Sequence, residues 1–276
     1  GLKFTMEDVG VKSKIPFIGH IKRVELESNK VFEFLVSDAE KKQVTLLRKS
    51  ANGWNETKLA DIEIPIYTDV ADYDGDGDKD IVVTDLGAFP PSKKMVGRVF
   101  LLRKNKSGSY DKELLIEGIP RATEARALDL DGDGDLDLAV AAFGGNNIGE
   151  IFWLENQGKS GNIKHILLNL SGALNITPVD INADGRMDLV SLVSQEHEML
   201  VAFIATGDRE LKAHVIARAP HPMYGSTSMR MVDMDKDGDQ DILFSNGDAF
   251  DTQMDPKPYH GVQWLENIGN LAFKFH

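Results

Sequence analysis

Cysteine is missing altogether from the 276 residues, which excludes disulfides and thiolate metal sites. Positive charge is scarce. There are 31 Lys and Arg against 44 Asp and Glu, for a formal net charge of -13, and this argues against a basic surface for nucleic acid or anionic lipid. No apolar run reaches the length of a membrane-spanning helix, so no membrane insertion is expected. The start, GLKFTMEDVG, has neither an initiator Met nor a signal-peptide apolar region, so the chain reads as a mature piece or a module of a longer protein. No segment sustains a 3.6-residue apolar period, which sets aside crossover helices and a parallel α/β sheet. GxSxG, HExxH and a phosphate-cradling Gly loop are also missing, so no residue is assigned a catalytic role and the reading leans away from an enzyme.

What the chain has in abundance is aspartate, and it is concentrated. Four stretches, DYDGDGDKD from Asp72, DLDGDGDLD from Asp129, DINADGRMD from Asp180 and DMDKDGDQD from Asp233, hold 18 of the 44 acidic residues. They fit D-x-[DN]-x-D-G-x-x-D and recur at steps of 57, 51 and 53 residues. So many carboxylates within nine residues repel one another unless a hard cation gathers them through oxygen ligands, and Ca²⁺ suits such a loop better than Mg²⁺. Gly at the sixth position allows the sharp turn at positive φ. An EF-hand would need a bidentate Glu at the twelfth position and a helix after it. Val83, Val140, Ser191 and Phe244 stand there instead, in strand-like runs, so each loop belongs to a β-hairpin.

The expected metal residues are therefore Asp72, Asp74, Asp76, Asp78 and Asp80; Asp129, Asp131, Asp133, Asp135 and Asp137; Asp180, Asn182, Asp184, Arg186 and Asp188; and Asp233, Asp235, Asp237, Asp239 and Asp241. Arg186 at the seventh position shows that this place need supply only its backbone carbonyl. About four structural Ca²⁺ are expected. A fifth, decayed copy, ELESNKVFE from Glu25, has Lys30 in place of the Gly and is read as metal-free.

Around every loop runs the same succession of short β patterns. A strand such as ATEARAL precedes the loop and an apolar strand such as LAVAAF follows it; a third such as GEIFWLEN and a fourth such as IKHILLN complete the unit. Four short strands in a repeat of this length predict an all-β fold, a β-propeller of four-stranded antiparallel blades. The chain then forms a single domain over 1–276, with units at about 20–65, 66–119, 120–171, 172–219 and 220–276. Two closures are open, a five-bladed ring or part of a larger ring. Residues 1–19 supply a strand that completes or flanks the ring.

The repeated DxDGDGDxDI, followed by an apolar strand and WLEN or its equivalent, resembles the FG-GAP/VCBS repeat family of integrin α-subunit propellers and many secreted bacterial proteins. The resemblance implies calcium loops between the first and second strands on one face, an extracellular or periplasmic location, and propellers that often have seven blades. Some relatives are polysaccharide lyases.

On the opposite face lie the connections between second and third strands. The longest, near 84–97, 141–149 and 245–261, are long for hairpins and rich in aromatic and polar residues, which marks them for ligand contact. Phe89, Asn146, Asn147, Tyr259 and His260 are the candidates, with His221 and Tyr224 from the link APHPMYGS. Phe89, Phe143 and Phe250 recur at matched positions, which favours capping of the core. Arg126 and Arg230 both stand three residues before a loop, where they line a central channel and either bind an anion or pair with acids such as Glu124. His165, His214 and His276, and Trp153 and Trp264, recur with the repeat and are read as framework. The functional expectation is a binding or protein-interaction scaffold whose partner is a protein or a glycan. The alternative is a carbohydrate-active enzyme or a lectin-like glycan binder.

Overall fold

The computed structural model describes residues 9–10, 16–27, 31–145, 147–207, 209–247 and 260–276. Twenty strands form five four-stranded sheets, each antiparallel and each taking its strands in chain order. Blade 1 holds β1 (Ile18–Val24), β2 (Glu33–Asp38), β3 (Gln43–Ser50) and β4 (Gly53–Asp61). Blade 2 holds β5 (Pro65–Ala71), β6 (Asp80–Asp85), β7 (Gly97–Lys104) and β8 (Tyr110–Ile119). Blade 3 holds β9 (Ala122–Leu128), β10 (Asp137–Gly145), β11 (Ile148–Asn156) and β12 (Asn162–Leu168). Blade 4 holds β13 (Ala173–Val179), β14 (Asp188–Val193), β15 (Met199–Gly207) and β16 (Glu210–Arg218). Blade 5 holds β17 (Ser226–Val232), β18 (Asp241–Asn246), β19 (Gly261–Asn267) and β20 (Phe273–Phe275).

The five blades form a ring, so the five-bladed closure is the one adopted. The first strands face the axis and pack on one another from blade to blade. Blade 5 draws its outer strand from the C-terminal residues 273–275. The strand expected from residues 1–19 falls largely outside the described residues. Among the described residues the only helical element is the 3₁₀ turn Gly158–Ser160, and no helix is long and apolar enough to cross a membrane.

Burial follows position within the blade. The second strands are buried with little alternation; β6 and β14 are buried at every residue, with apolar side chains at their centres. Outer strands such as β8 and β16 are largely exposed. Apolar clusters fill the seams between consecutive blades. Val82, Leu101, Leu138 and Phe152 join blades 2 and 3, and Ala139, Ile151, Leu189 and Phe203 join blades 3 and 4. Val190, Leu200, Ile242 and Phe244 join blades 4 and 5, and Leu35, Val44, Ile81 and Val83 join blades 1 and 2. Close approach fixes two glycines at the start of third strands. A Cβ on Gly97 would lie 2.0 Å from the Pro120 carbonyl oxygen, and one on Gly149 would lie 2.4 Å from that of Leu170, so no side chain fits at either place.

Candidate functional site

The aspartate loops join first to second strands, and all four hang from the same face. In three of them the sixth-position Gly donates its N–H to the first aspartate: Gly77 to Asp72 at 3.0 Å, Gly134 to Asp129 at 3.1 Å and Gly185 to Asp180 at 2.8 Å. These glycines and Gly238 have φ between 87° and 104°, which other residues rarely adopt. Oxygens of Asp72, Asp74 and Asp80 come within 4.8 Å of one another, as do those of Asp129, Asp131 and Asp137 and those of Asp233, Asp235 and Asp237.

Oδ1 atoms of Asp72, Asp135, Asp233 and Asp239 are buried with no hydrogen-bond donor. An orphaned buried carboxylate oxygen is costly, and a hard divalent cation is the partner that such a donor set fits. The electrostatics agree. Burial and the carboxylates of Asp131 and Asp135 push Asp137 up to about 6, and burial with Asp237 and Asp241 pushes Asp239 up to about 6. Basic side chains offset part of this charge: Arg103 pairs with Asp74, Lys104 with Asp78 at 2.8 Å and Arg209 with Asp131 at 2.8 Å. The third loop differs. The backbone N–H of Arg186 and then its guanidinium, 3.2 Å from Asp184, hold that carboxyl below its usual range.

The ninth-position aspartates have a task that the motif alone does not reveal. Asp80, Asp137, Asp188 and Asp241 are all fully buried. In each, one oxygen accepts the N–H of the second loop residue, Tyr73, Leu130, Ile181 or Met234, at 3.0–3.2 Å. The other accepts an N–H near the end of the third strand, from Lys104, Asn156, Ala205 or Asn267, at 2.8 Å. Blade 1 keeps this pin without the loop chemistry, since Glu33 accepts the N–H of Leu26 at 2.9 Å. Asn29 and Lys30 of the decayed loop lie outside the described residues.

On the opposite face a polar cleft of about 650 Å³ opens among Pro91, Lys93, Asn147, Gln195, Glu196 and Pro222. Its walls come from the β6–β7, β10–β11 and β14–β15 connections and from the link between blades 4 and 5. Asn147 holds φ at 67°, a conformation that Asn tolerates better than most residues. Arg121, which sequence reasoning missed, ties two of these connections together. Although buried, it donates to the carbonyls of Ala88 and Phe89 on one connection and of Gly144 on the next, and its guanidinium lies over the Phe143 ring at 5.4 Å.

The other face candidates separate. Phe89 is exposed, its ring edge-on to Phe17 at 4.7 Å, so it does not cap the core as its matched position led one to expect. His221 is exposed, with Nδ1 accepting the Met223 N–H at 3.1 Å. Tyr224 turns inward rather than toward ligand: it is buried, bonds Gln263 at 2.7 Å and lines an apolar cavity of about 290 Å³ in the seam of blades 4 and 5. His260 is half-buried against Gly247. Asn146, Phe250 and Tyr259 lie outside the described residues. His165 and His276 stack on Trp153 and Trp264 at 4.4 and 4.2 Å, and each donates to a Glu of the same blade, Glu155 or Glu266, at 2.5 Å. That arrangement makes them framework, and Trp153 is buried beneath.

Register identifies what lines the axis. Five residues before each loop stand His20, Tyr67, Glu124, Asn175 and Ser228, and three before stand Lys22, Asp69, Arg126, Thr177 and Arg230. Two polar rings therefore circle the channel. Lys22 pairs with Asp69, and Arg126 reaches Glu124 at 2.6 Å and Asp69 at 3.7 Å. Asn175 then donates to Glu124 at 2.8 Å and accepts the Met229 N–H at 3.2 Å. The bonded chain crosses all five blades. His20 stacks on Tyr67 at 4.2 Å, and burial with the cations Lys22, Arg126 and Arg230 pushes its imidazole down to about 4.

Residues 72–140 and 129–191 match the model of an FG-GAP-like repeat. No curated protein matches the chain. Among solved structures, the crystal structure of an alpha-L-arabinofuranosidase from Lactobacillus brevis superposes with a TM-score of 0.53 at 12% identity, over 92% of this chain and 93% of that one. At that identity the likeness concerns the fold alone. Residues 72–191 thus match FG-GAP-like repeats, carried on a five-bladed β-propeller.

Proposed function

We propose that this chain is a calcium-stabilised β-propeller of the extracellular or periplasmic space that acts as a binding scaffold, holding a protein or glycan on the face opposite its aspartate loops. The observation that carries the reading is the polar cleft among Pro91, Lys93, Asn147, Gln195, Glu196 and Pro222. Its walls are loops from three blades and one link, and Arg121 ties two of those loops together. Loops on a rigid scaffold are where binding groups concentrate. Calcium belongs to the opposite face, held by side chains at the first, third, fifth and ninth loop positions. Millimolar calcium outside cells suits loops of this kind.

A glycan array and a binding assay against candidate protein partners, each run with wild type and Lys93→Glu, test the reading. Binding that Lys93→Glu weakens supports it. Binding that this charge reversal leaves untouched would move the ligand elsewhere and refute the cleft assignment.

A second reading has one observation behind it, the fold shared over nine-tenths of its length with an alpha-L-arabinofuranosidase. In that reading the axial carboxylates Asp69 and Glu124 would be the acid and base. Both are engaged by cations, Asp69 by Lys22 and Glu124 by Arg126, which favours the scaffold. Release of arabinose from an arabino-oligosaccharide, abolished in Glu124→Gln, would establish the enzyme instead.

A further inference from the structure

The axial channel has an imbalance that neither the aspartate loops nor the upper cleft accounts for. Three cations, Lys22, Arg126 and Arg230, face two carboxylates, Asp69 and Glu124. Lys22 and Arg126 are paired with those carboxylates. Arg230 has no acidic partner among the described residues, and its one hydrogen bond goes to the carbonyl of its neighbour Met229 at 3.0 Å. In a chain of net charge -13, a cation left over beside two buried acids is unusual. Arg230 is exposed to the channel solvent, so a ligand can reach it.

The free hydrogen-bonding capacity around it is weighted toward donors. The backbone N–H of Thr68 donates to His20 Nδ1 at 3.3 Å, which assigns the imidazole proton to Nε2. Nε2 and the Tyr67 hydroxyl have no hydrogen-bond partner among the described residues, and the strand register places Arg230, His20 and Tyr67 in the two axial rings, on blades 5, 1 and 2. Met229, next to Arg230, is tied across to Asn175, which fixes β17 beside the polar rings. The unused groups are four of the five guanidinium N–H bonds and an imidazole N–H, which only donate, and the hydroxyls of Tyr67, Thr177 and Ser228 in the same rings, which can donate. The acceptors, Asp69 and Glu124, are already engaged.

We propose that Arg230, with His20 and Tyr67, forms an axial subsite for the carboxylate of a singly charged acidic ligand. A planar carboxylate matches the guanidinium fork. One surplus positive charge answers one negative charge, and the neighbouring Asp69 and Glu124 disfavour a dianion. The subsite stands whether or not the upper cleft binds anything.

The test uses D-glucuronate, acetate, D-glucose and inorganic phosphate as probes on the calcium-loaded chain, followed by NMR of the histidine rings and by calorimetry. Glucuronate and acetate should bind and glucose should not. Bound carboxylate should also raise the titration midpoint of His20, because a nearby anion favours imidazolium. Arg230→Met should weaken binding at least tenfold with Tm unchanged, and Arg230→Lys should fall between. Glucuronate alone binding supports an acidic sugar, and acetate binding as well supports any carboxylate. Equal binding of phosphate, equal binding of glucose, or wild-type affinity in Arg230→Met overturns the subsite. The His20 titration shift reports the channel alone, which separates this result from the fate of the cleft.

Discussion

Glu124 and Arg126, two residues apart on β9, bond each other at 2.6 Å inside the channel, and the second carboxylate oxygen of Glu124 takes the Asn175 amide at 2.8 Å. One buried carboxylate thus joins blades 3 and 4 and holds the arginine toward blade 2. Removing one partner of a buried pair leaves the other charge uncompensated, at about 3–5 kcal/mol, but Asp69 at 3.7 Å remains to receive Arg126. Glu124→Gln should therefore cost about 2 kcal/mol in urea unfolding. A double-mutant cycle with Asn175→Ala should show coupling above about 0.5 kcal/mol. Additive losses would mean that the axial chain contributes nothing as a network.

The pinning aspartates and the open loop aspartates should separate cleanly. Asp137 accepts one N–H from its loop and one from the end of β11. In Asp137→Asn an amide NH₂ would face one of those N–H groups, leaving a buried donor unmet at about 1–3 kcal/mol. That loss should persist in excess EDTA. Asp133→Asn changes an exposed side chain and should matter only when calcium is present. Chemical denaturation of both variants with and without EDTA gives the comparison. Equal sensitivity of the two losses to chelation would refute the pin.

Much of this was legible in the sequence because the repeat carries its own register. The strand ATEARAL has the bounds that β9 adopts, since it lies between a turn and a loop whose Gly and Asp positions leave no freedom. The same counting brought Arg126 and Arg230 to the axis. Ring closure was not legible, because a blade sequence specifies its neighbours and not how many there are. Tyr224 and Arg121 were hidden for another reason. Their burial is decided by loops from other blades, and no local period records that. The second task of the ninth aspartate was hidden as well, because one residue type serves two purposes and only geometry shows that it also accepts backbone N–H groups.

Calcium should act as part of the fold. Each site filled at a hundredfold excess over its dissociation constant adds about 2.7 kcal/mol to the native state. Stripping several loops with EDTA should therefore lower Tm by more than about 10 °C in a domain of this size. An unchanged Tm would rule out the assignment. The loops should also be unequal. Arg186 donates to Asp184 within the third loop, so this site should bind most weakly in calorimetry. Arg186→Asp should tighten it several-fold and leave the other loops unaffected.

His20 makes stability depend on pH in a defined window. Its imidazole is pushed down to about 4 by burial and by Lys22, Arg126 and Arg230, with Asp69 opposing, against about 6.5 in the unfolded chain. Above pH 6.5 both states leave it neutral and it has no effect. Between 6.5 and 4 the unfolded chain takes up a proton that the folded chain refuses, so stability falls as pH falls; below 4 both are protonated and the loss levels off. The full shift corresponds to about 3 kcal/mol, and with solvent reaching a half-buried ring the expected loss is about 2 kcal/mol. His20→Gln removes this contribution while the carboxylates titrate as before. The stability difference between wild type and variant, followed by urea unfolding from pH 7.5 to 4.5, should shift against wild type by that amount. A flat difference would mean that His20 is charged in the channel and that the cations around it are compensated by something other than its neutrality.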